Sequence, residues 1–118
     1  MAVLRDLLMY GMPEGQAEEH RRALGDLRKQ VESHGLRCRL VERLHLPMRS
    51  GYYTPVLRPP EMDVYGGGRL VVTVTVVDVP KGGAWYLLKR PDGLPVEAHS
   101  VTGAAAAAVA IAAYASPP

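Results

Sequence analysis

Imidazole and thiolate side chains offer the most useful chemistry in this sequence, because they bind metals and transfer protons near neutral pH. The four histidines are scattered, and no two of them form an HxH or HExxH pair. The single cysteine, Cys38, falls on the apolar side of a predicted strand, which indicates a core position rather than a nucleophile. We therefore expect no metal site, no cofactor and no enzyme active site. The histidines are His20, His34, His45 and His99.

Two other catalytic or phosphate-binding patterns are also missing. The glycine run Gly66–Gly68 precedes a predicted strand, whereas phosphate loops and dinucleotide fingerprints lead into a helix. No Gly-x-Ser-x-Gly motif presents a nucleophilic serine. The sequence thus favours a binding function over catalysis.

Arginine and tyrosine side chains form the most informative polar pattern. Arg37, Arg39 and Arg43 alternate along a strand predicted from 37 to 46. Such a stripe can bind phosphate or nucleic acid, especially beside tyrosines that stack on bases. The same pattern is typical of an edge strand whose charges prevent aggregation, and the arginine-rich composition favours that alternative. The following loop adds Arg49, Arg58, Tyr52 and Tyr53 to the possible nucleic-acid contacts.

The strongest strand signal is the segment Leu70–Val79, which must be positioned by the rest of the chain. Its side chains alternate between a wholly apolar face and a β-branched, half-polar face. A glycine turn and the strand-like segment Ala84–Lys89 follow, and Arg90–Gly93 has the composition of a tight turn. These features predict an antiparallel hairpin, with a short further strand near 95–98. Other elements must cover the hairpin, because an isolated hairpin is marginally stable.

Two helices are predicted, over 13–34 and 100–114. The first has an apolar stripe at helical spacing, and its carboxylates and basic residues complement the helix dipole. Gly35 is expected to end this helix, because glycine readily adopts the left-handed conformation that follows a helix. The second helix consists mostly of alanine, the residue with the highest helix propensity.

The second helix carries no charged residue from Gly103 onward. A helix that is apolar on every side is usually buried on every side, so we expect it to bind a second copy of the chain or a partner protein. The alternative is an alanine-coated surface helix encoded by a GC-rich genome. The predicted interface residues are Ala104, Ala108, Val109 and Ala112 of the helix, with Tyr52 and Tyr53 of the loop.

The order of predicted elements is α-β-β-β-α. It predicts an α+β two-layer sandwich, in which an antiparallel sheet of three or four strands carries both helices on one face. A long irregular loop is expected from about 47 to 68. The 118 residues are expected to form a single domain, residues 1–118. Unrelated folds share this element order, so it implies no function.

Composition narrows the classes of function. A net charge of +2 argues against a protein that binds nucleic acid through overall charge. The lone cysteine and the absence of a recognisable signal peptide or membrane span predict a cytoplasmic protein. Abundant arginine and alanine without phenylalanine are typical of a high-GC bacterial genome, actinobacterial or phage.

We expect a small non-catalytic interaction or accessory protein that acts as a homo-oligomer or within a larger protein assembly. No membrane partner is expected. The alternative function is a nucleic-acid-binding regulatory protein that uses the arginine-rich strand and the Tyr/Arg loop.

Overall fold

The computed structural model describes residues 14–42, 44–45, 56–57, 59–80 and 83–116. Two helices and seven strands follow one another along this part of the chain. They are α1 (Glu14–Glu32), β1 (Arg37–Val41), β2 (Leu44–His45), β3 (Val56–Leu57), β4 (Glu61–Gly66), β5 (Arg69–Val79), β6 (Gly83–Lys89), β7 (Pro95–Ser100) and α2 (Ala104–Ala115). A short 3-10 turn, Val101–Gly103, joins β7 to α2.

Five strands form one sheet in the order β1-β4-β5-β6-β7, and every neighbouring pair is antiparallel. Strands β2 and β3 form a separate two-stranded sheet. The α+β class and the antiparallel sheet are therefore confirmed. The predicted number of three or four strands is wrong, because β4 and the full length of β7 both join the sheet.

The predicted loop from about 47 to 68 is wrong over its last third, where β4 pairs with β1 and β5. Its sequence alternates buried Met62 and Val64 with half-buried polar neighbours, so a strand signal is present. The flanking prolines and glycines conceal that signal. The strand predicted over 37–46 is also two strands, since β1 ends at Val41 and β2 begins at Leu44.

The core lies between one face of the sheet and both helices. Val72, Val74 and Val76 of β5 are buried there, as the alternation of the hairpin predicts. We call this the helix face, and we call the opposite side of the sheet the distal face. The same cluster includes Met62, Val64, Tyr86 and Leu88 from the sheet, Leu24, Leu27 and Val31 from α1, and Ala107, Ala108 and Ile111 from α2.

Each helix occupies its own side of the helix face. Helix α1 packs on β1 and β5, whereas α2 packs on β7 and β5, and the two helices contact each other. Gly35 has a φ of 84° and follows α1, as predicted. The sheet admits the end of α2 closely, because a Cβ on Gly66 would lie 3.4 Å from the Cβ of Ala115. Neither described helix is long and apolar enough to cross a membrane.

Candidate interaction surfaces

The outer side of α2 is the first candidate surface. Val109 is 59% exposed, and Ala105, Ala106 and Ala113 are exposed around it. None of the twelve residues of α2 is charged, so this side shows methyl groups and a valine without a polar rim. The helix itself is well formed because alanine has the highest helix propensity, and its exposed side contributes nothing to the chain's own core.

The residues predicted at an α2 interface divide between the two sides of the helix. Val109 lies on the outer side, and Ala104 and Ala112 are half-buried at its margins. The prediction for Ala108 is wrong, because this residue is 0% exposed within the chain's own core. Helical periodicity places Ala108 beside Ile111 on the inner side, one turn from Ala104. Tyr52 and Tyr53 lie outside the described residues.

Strand β7 forms the sheet margin nearest to α2. Glu97 pairs with Leu88 and His99 pairs with Tyr86, so both polar side chains lie on the helix face. Nε2 of His99 lies 3.5 Å from Oε2 of Glu97. That nitrogen is buried and makes no hydrogen bond within the described part of the chain. The side chains of Glu97 and His99 nonetheless keep 35% and 24% of their accessible surface.

Tyr114 connects the end of α2 to β7. Desolvation and a hydrogen bond to Glu97, together with the negative charge of that carboxylate, raise the pKa of the Tyr114 phenol. The ring is still 46% exposed. Leu94, which immediately precedes β7, is 56% exposed. Among the described residues, Val109, Leu94 and Tyr114 are the three most exposed large apolar side chains. Val109 and Tyr114 belong to α2, and Leu94 lies directly before β7.

The second candidate surface surrounds Arg37 and Arg39 on β1. Both guanidinium groups are exposed on the distal face, and neither forms an ion pair in the described residues. Tyr65 is the cross-strand partner of Arg37. Together with Cys38 and the turns at Gly35 and Gly67–Gly68, these residues line a cavity of about 540 Å³. Arg43, Arg49 and Arg58 lie outside the described residues, so the predicted five-arginine surface is represented here by two members.

Cys38 lies beside this cavity but is not activated. Burial and the negative charge of Glu32 raise the pKa of its thiol from 9.0 to about 11, against a smaller opposing effect of Arg28. The thiolate is the reactive form, so this cysteine is a weak nucleophile near neutral pH. Its side chain packs against the core from β1, as predicted.

A third polar cluster lies where α1 meets the end of β5. His20 is 3% exposed, and its Nε2 lies 2.8 Å from Oδ2 of Asp78. Gln16 donates a hydrogen bond to the same carboxylate. Nδ1 of His20 is buried without a hydrogen-bond partner in the described residues. Sequence reasoning missed this cluster because 58 residues separate His20 from Asp78.

None of these clusters forms a metal centre: within the described ranges, no group of three or more His, Cys, Asp or Glu side chains could hold an ion.

Searches of protein-family models, of curated proteins and of solved structures found no match to this chain.

Proposed function

We propose that this protein is a small non-catalytic interaction subunit that associates with a second copy of its own chain through the outer side of α2. The observation that carries the proposal is the location of its exposed apolar surface. Among the described residues, Val109 and Tyr114 are exposed on α2, and the exposed Leu94 immediately precedes β7, the strand on which α2 packs. Exposed apolar side chains on neighbouring elements support an interaction site.

A second copy is the occupant that this surface fits best. An uncharged surface does not attract a charged partner, but the same apolar patch on two copies can pack against itself across a two-fold axis. Small side chains also let two helices approach closely, since interaxial distances of about 8 Å require little more than alanine at the contact. The exposed residues Ala105, Ala106 and Ala113 meet that condition.

The test is the solution mass of matched variants, measured by light scattering at low and high salt. We expect the wild type to be an oligomer at both salt concentrations, because the contact is apolar. Val109→Glu should give a folded monomer. The control is Val79→Glu, which places the same charge on a residue that is 43% exposed at the end of β5. A monomeric wild type, or an oligomer that both variants leave intact, would contradict the proposal.

The arginine surface of β1 supports a second candidate function, binding of a nucleic acid. Arg37 and Arg39 form no ion pair in the described residues, although Asp63 is the cross-strand partner of Arg39, and both lie beside Tyr65. Phosphate contacts of this kind make affinity depend steeply on salt. We expect titration with a single-stranded oligonucleotide to show a salt slope that falls by about 0.7 for each arginine contact removed. An affinity that Arg37→Ala and Arg39→Ala leave unchanged would contradict this candidate function.

A further inference from the structure

Strand β7 is an outer strand of the five-stranded sheet, and one side of its backbone meets no other strand in the described residues. A free strand edge is a template for pairing with another chain unless charges, prolines or a covering element prevent it. On the distal face β7 carries Ala98 and Ser100, which pair with Leu87 and Trp85. Pro95 and a register shift between the pairs Lys89–Pro95 and Leu88–Glu97 interrupt the start of this edge, so the regular part of the strand runs from Glu97 to Ser100.

Two-fold pairing of β7 with β7 of a second copy allows few registers. Directly opposed residues of two antiparallel strands place their side chains on the same face of the sheet. A two-fold axis perpendicular to the sheet must therefore lie midway between the two copies of one residue. With the axis at Glu97, two carboxylates are directly opposite, and like charges in that position are destabilising. With the axis at His99, two imidazoles are opposite and neither of them faces a carboxylate. With the axis at Ala98, Glu97 of each copy faces His99 of the other.

With the axis at Ala98, the dimer therefore contains two pairs in which Glu97 of one copy is opposite His99 of the other. In this register the Glu97 carboxylate would accept a hydrogen bond from an imidazole N–H of the other copy. Within one chain, Nε2 of His99 lies 3.5 Å from Oε2 of Glu97. The buried Nε2 of His99 lacks a hydrogen bond in the described part of the monomer, and a buried donor or acceptor without a partner is destabilising. The match of a hydrogen-bond acceptor with a donor thus favours a second copy and one alignment.

The helix beside β7 suits the same arrangement. Helix α2 packs on β7, and Tyr114 reaches Glu97. Ala106 and Ala110 precede Tyr114 at four-residue intervals, so they lie on the side of α2 that turns toward this margin. Side chains of this size let α2 of each copy approach the other over the paired strands.

We propose that two copies pair through β7, with Ala98 at the two-fold axis, to form a continuous ten-stranded sheet on which the two α2 helices lie side by side. This arrangement rests on the self-association proposed above and adds its register. The interface joins the edge of β7 to the side of α2 that carries Ala106, and Ala106 lies one turn from Val109 on the outer side of the helix. Glu97 and His99 are the residues that determine its specificity.

Disulfide formation tests the register directly. Cα atoms of directly opposed residues are about 4.5–5.5 Å apart, within the range that a disulfide spans. In a Cys38→Ala background, Ala98→Cys should form a covalent dimer under mild oxidation. Ser100→Cys is the matched control on the same strand and face, because the two copies of residue 100 would be roughly 14 Å apart at about 3.4 Å per residue. We expect little or no cross-link from this control.

A charge exchange supplies a second test that does not depend on oxidation. Glu97→Lys should weaken dimerisation at least tenfold, because it removes the carboxylate that accepts from the imidazole of the other copy. Combining Glu97→His with His99→Glu should restore the wild-type dissociation constant, since the two partners exchange places.

The two proposals can fail separately. If the wild type dimerises and Val109→Glu disrupts it, but Ala98→Cys gives no cross-link and Glu97→Lys has no effect, the register is wrong and self-association stands. A cross-link from Ser100→Cys that equals the one from Ala98→Cys would also overturn the register. A wild type that is monomeric throughout would overturn both proposals.

Discussion

The two outer strands of the sheet place their polar side chains in opposite ways. On β1, Arg37 and Arg39 lie on the distal face, and Cys38 packs toward the core. On β7, Glu97 and His99 lie on the helix face, and the distal face carries Ala98. Charges on the exposed face of an edge strand oppose pairing with other chains. Strand β1 therefore carries exposed charges on its distal face, whereas on β7 the proline and the register shift are confined to the start of the strand.

The helices extend the same contrast. Helix α1 covers β1 with a charged outer surface that includes the Arg28–Glu32 ion pair, at 3.2 Å. Helix α2 covers β7 with a surface that has no charge at all. One half of the two-layer structure therefore has a charged outer surface, and the other has an uncharged one.

Substituting adjacent residues of α2 should separate its inner side from its outer side. Ala108→Glu buries a carboxylate among Leu24, Val74 and Ile111 without a partner, so we expect a loss of more than about 4 kcal/mol and failure to fold. Val109→Glu should leave the thermal unfolding midpoint of the monomer almost unchanged. Circular dichroism on heating measures both. Equal stability of the two variants would mean that α2 is not oriented as described.

Alkylation of Cys38 should show that the inner side of β1 is closed. With a thiol pKa raised from 9.0 to about 11, the thiolate fraction near neutral pH is about a hundredfold lower. Iodoacetamide should therefore react roughly a hundredfold more slowly with the native protein than with the protein unfolded in urea. Equal rates in the two states would show that β1 is not packed beneath α1.

Tyr86, on the strand next to β7, should make stability depend on alkaline pH. Burial, and secondarily the charge of Asp26, raise the pKa of its phenol from 10.0 to about 12. Because the folded-state pKa is the higher one, the stabilisation is fully present below pH 10 and is lost as the pH rises toward 12. The phenol also donates to the carbonyl of Ala23 at 2.6 Å.

Replacing this phenol by Tyr86→Phe removes both effects. We expect a loss of about 1–2 kcal/mol at pH 7, because the hydrogen bond is removed and the carbonyl of Ala23 stays buried. The difference between wild type and variant should shrink as the pH rises from 10 to 12. Urea unfolding at several pH values measures this difference. A difference in unfolding free energy between wild type and Tyr86→Phe that stays constant from pH 10 to 12 would contradict the raised pKa of Tyr86.

Sequence reasoning predicted the parts of this fold that depend on local periodicity. The alternation of Val72, Val74 and Val76, the turn at Gly35 that follows α1 and the turn at Gly93 follow from rules that act over a few residues. Strand β4 was missed because Pro59–Pro60 and Gly66–Gly68 enclose it, although its own residues alternate.

The candidate surfaces were less predictable, because they depend on which elements become neighbours. The uncharged character of α2 is visible in the sequence, but the burial of Ala108 depends on the direction from which α1 and the sheet approach the helix. The placement of Glu97 and His99 at a free edge follows from β7 being the last strand of the sheet, which local patterns do not reveal. The His20–Asp78 contact is a long-range pairing of the same kind.

Removing the charges from β1 should have the smallest effect on stability and a clear effect on association. Arg37→Thr combined with Arg39→Thr should change the free energy of unfolding by less than about 0.5 kcal/mol, since both side chains are exposed and unpaired in the described residues. The variant should form higher oligomers or aggregate at concentrations where the wild type does not. Turbidity on mild heating measures this change. An unchanged aggregation rate would mean that the arginines do not protect β1.

Sedimentation equilibrium of the wild-type chain, over a hundredfold range of concentration, tests the central claim most directly. The account predicts a reversible dimer of twice the 12.8 kDa chain mass at the highest concentrations, and a Val109→Glu variant that keeps the mass of one chain. A wild type with the mass of one chain at every concentration would contradict it.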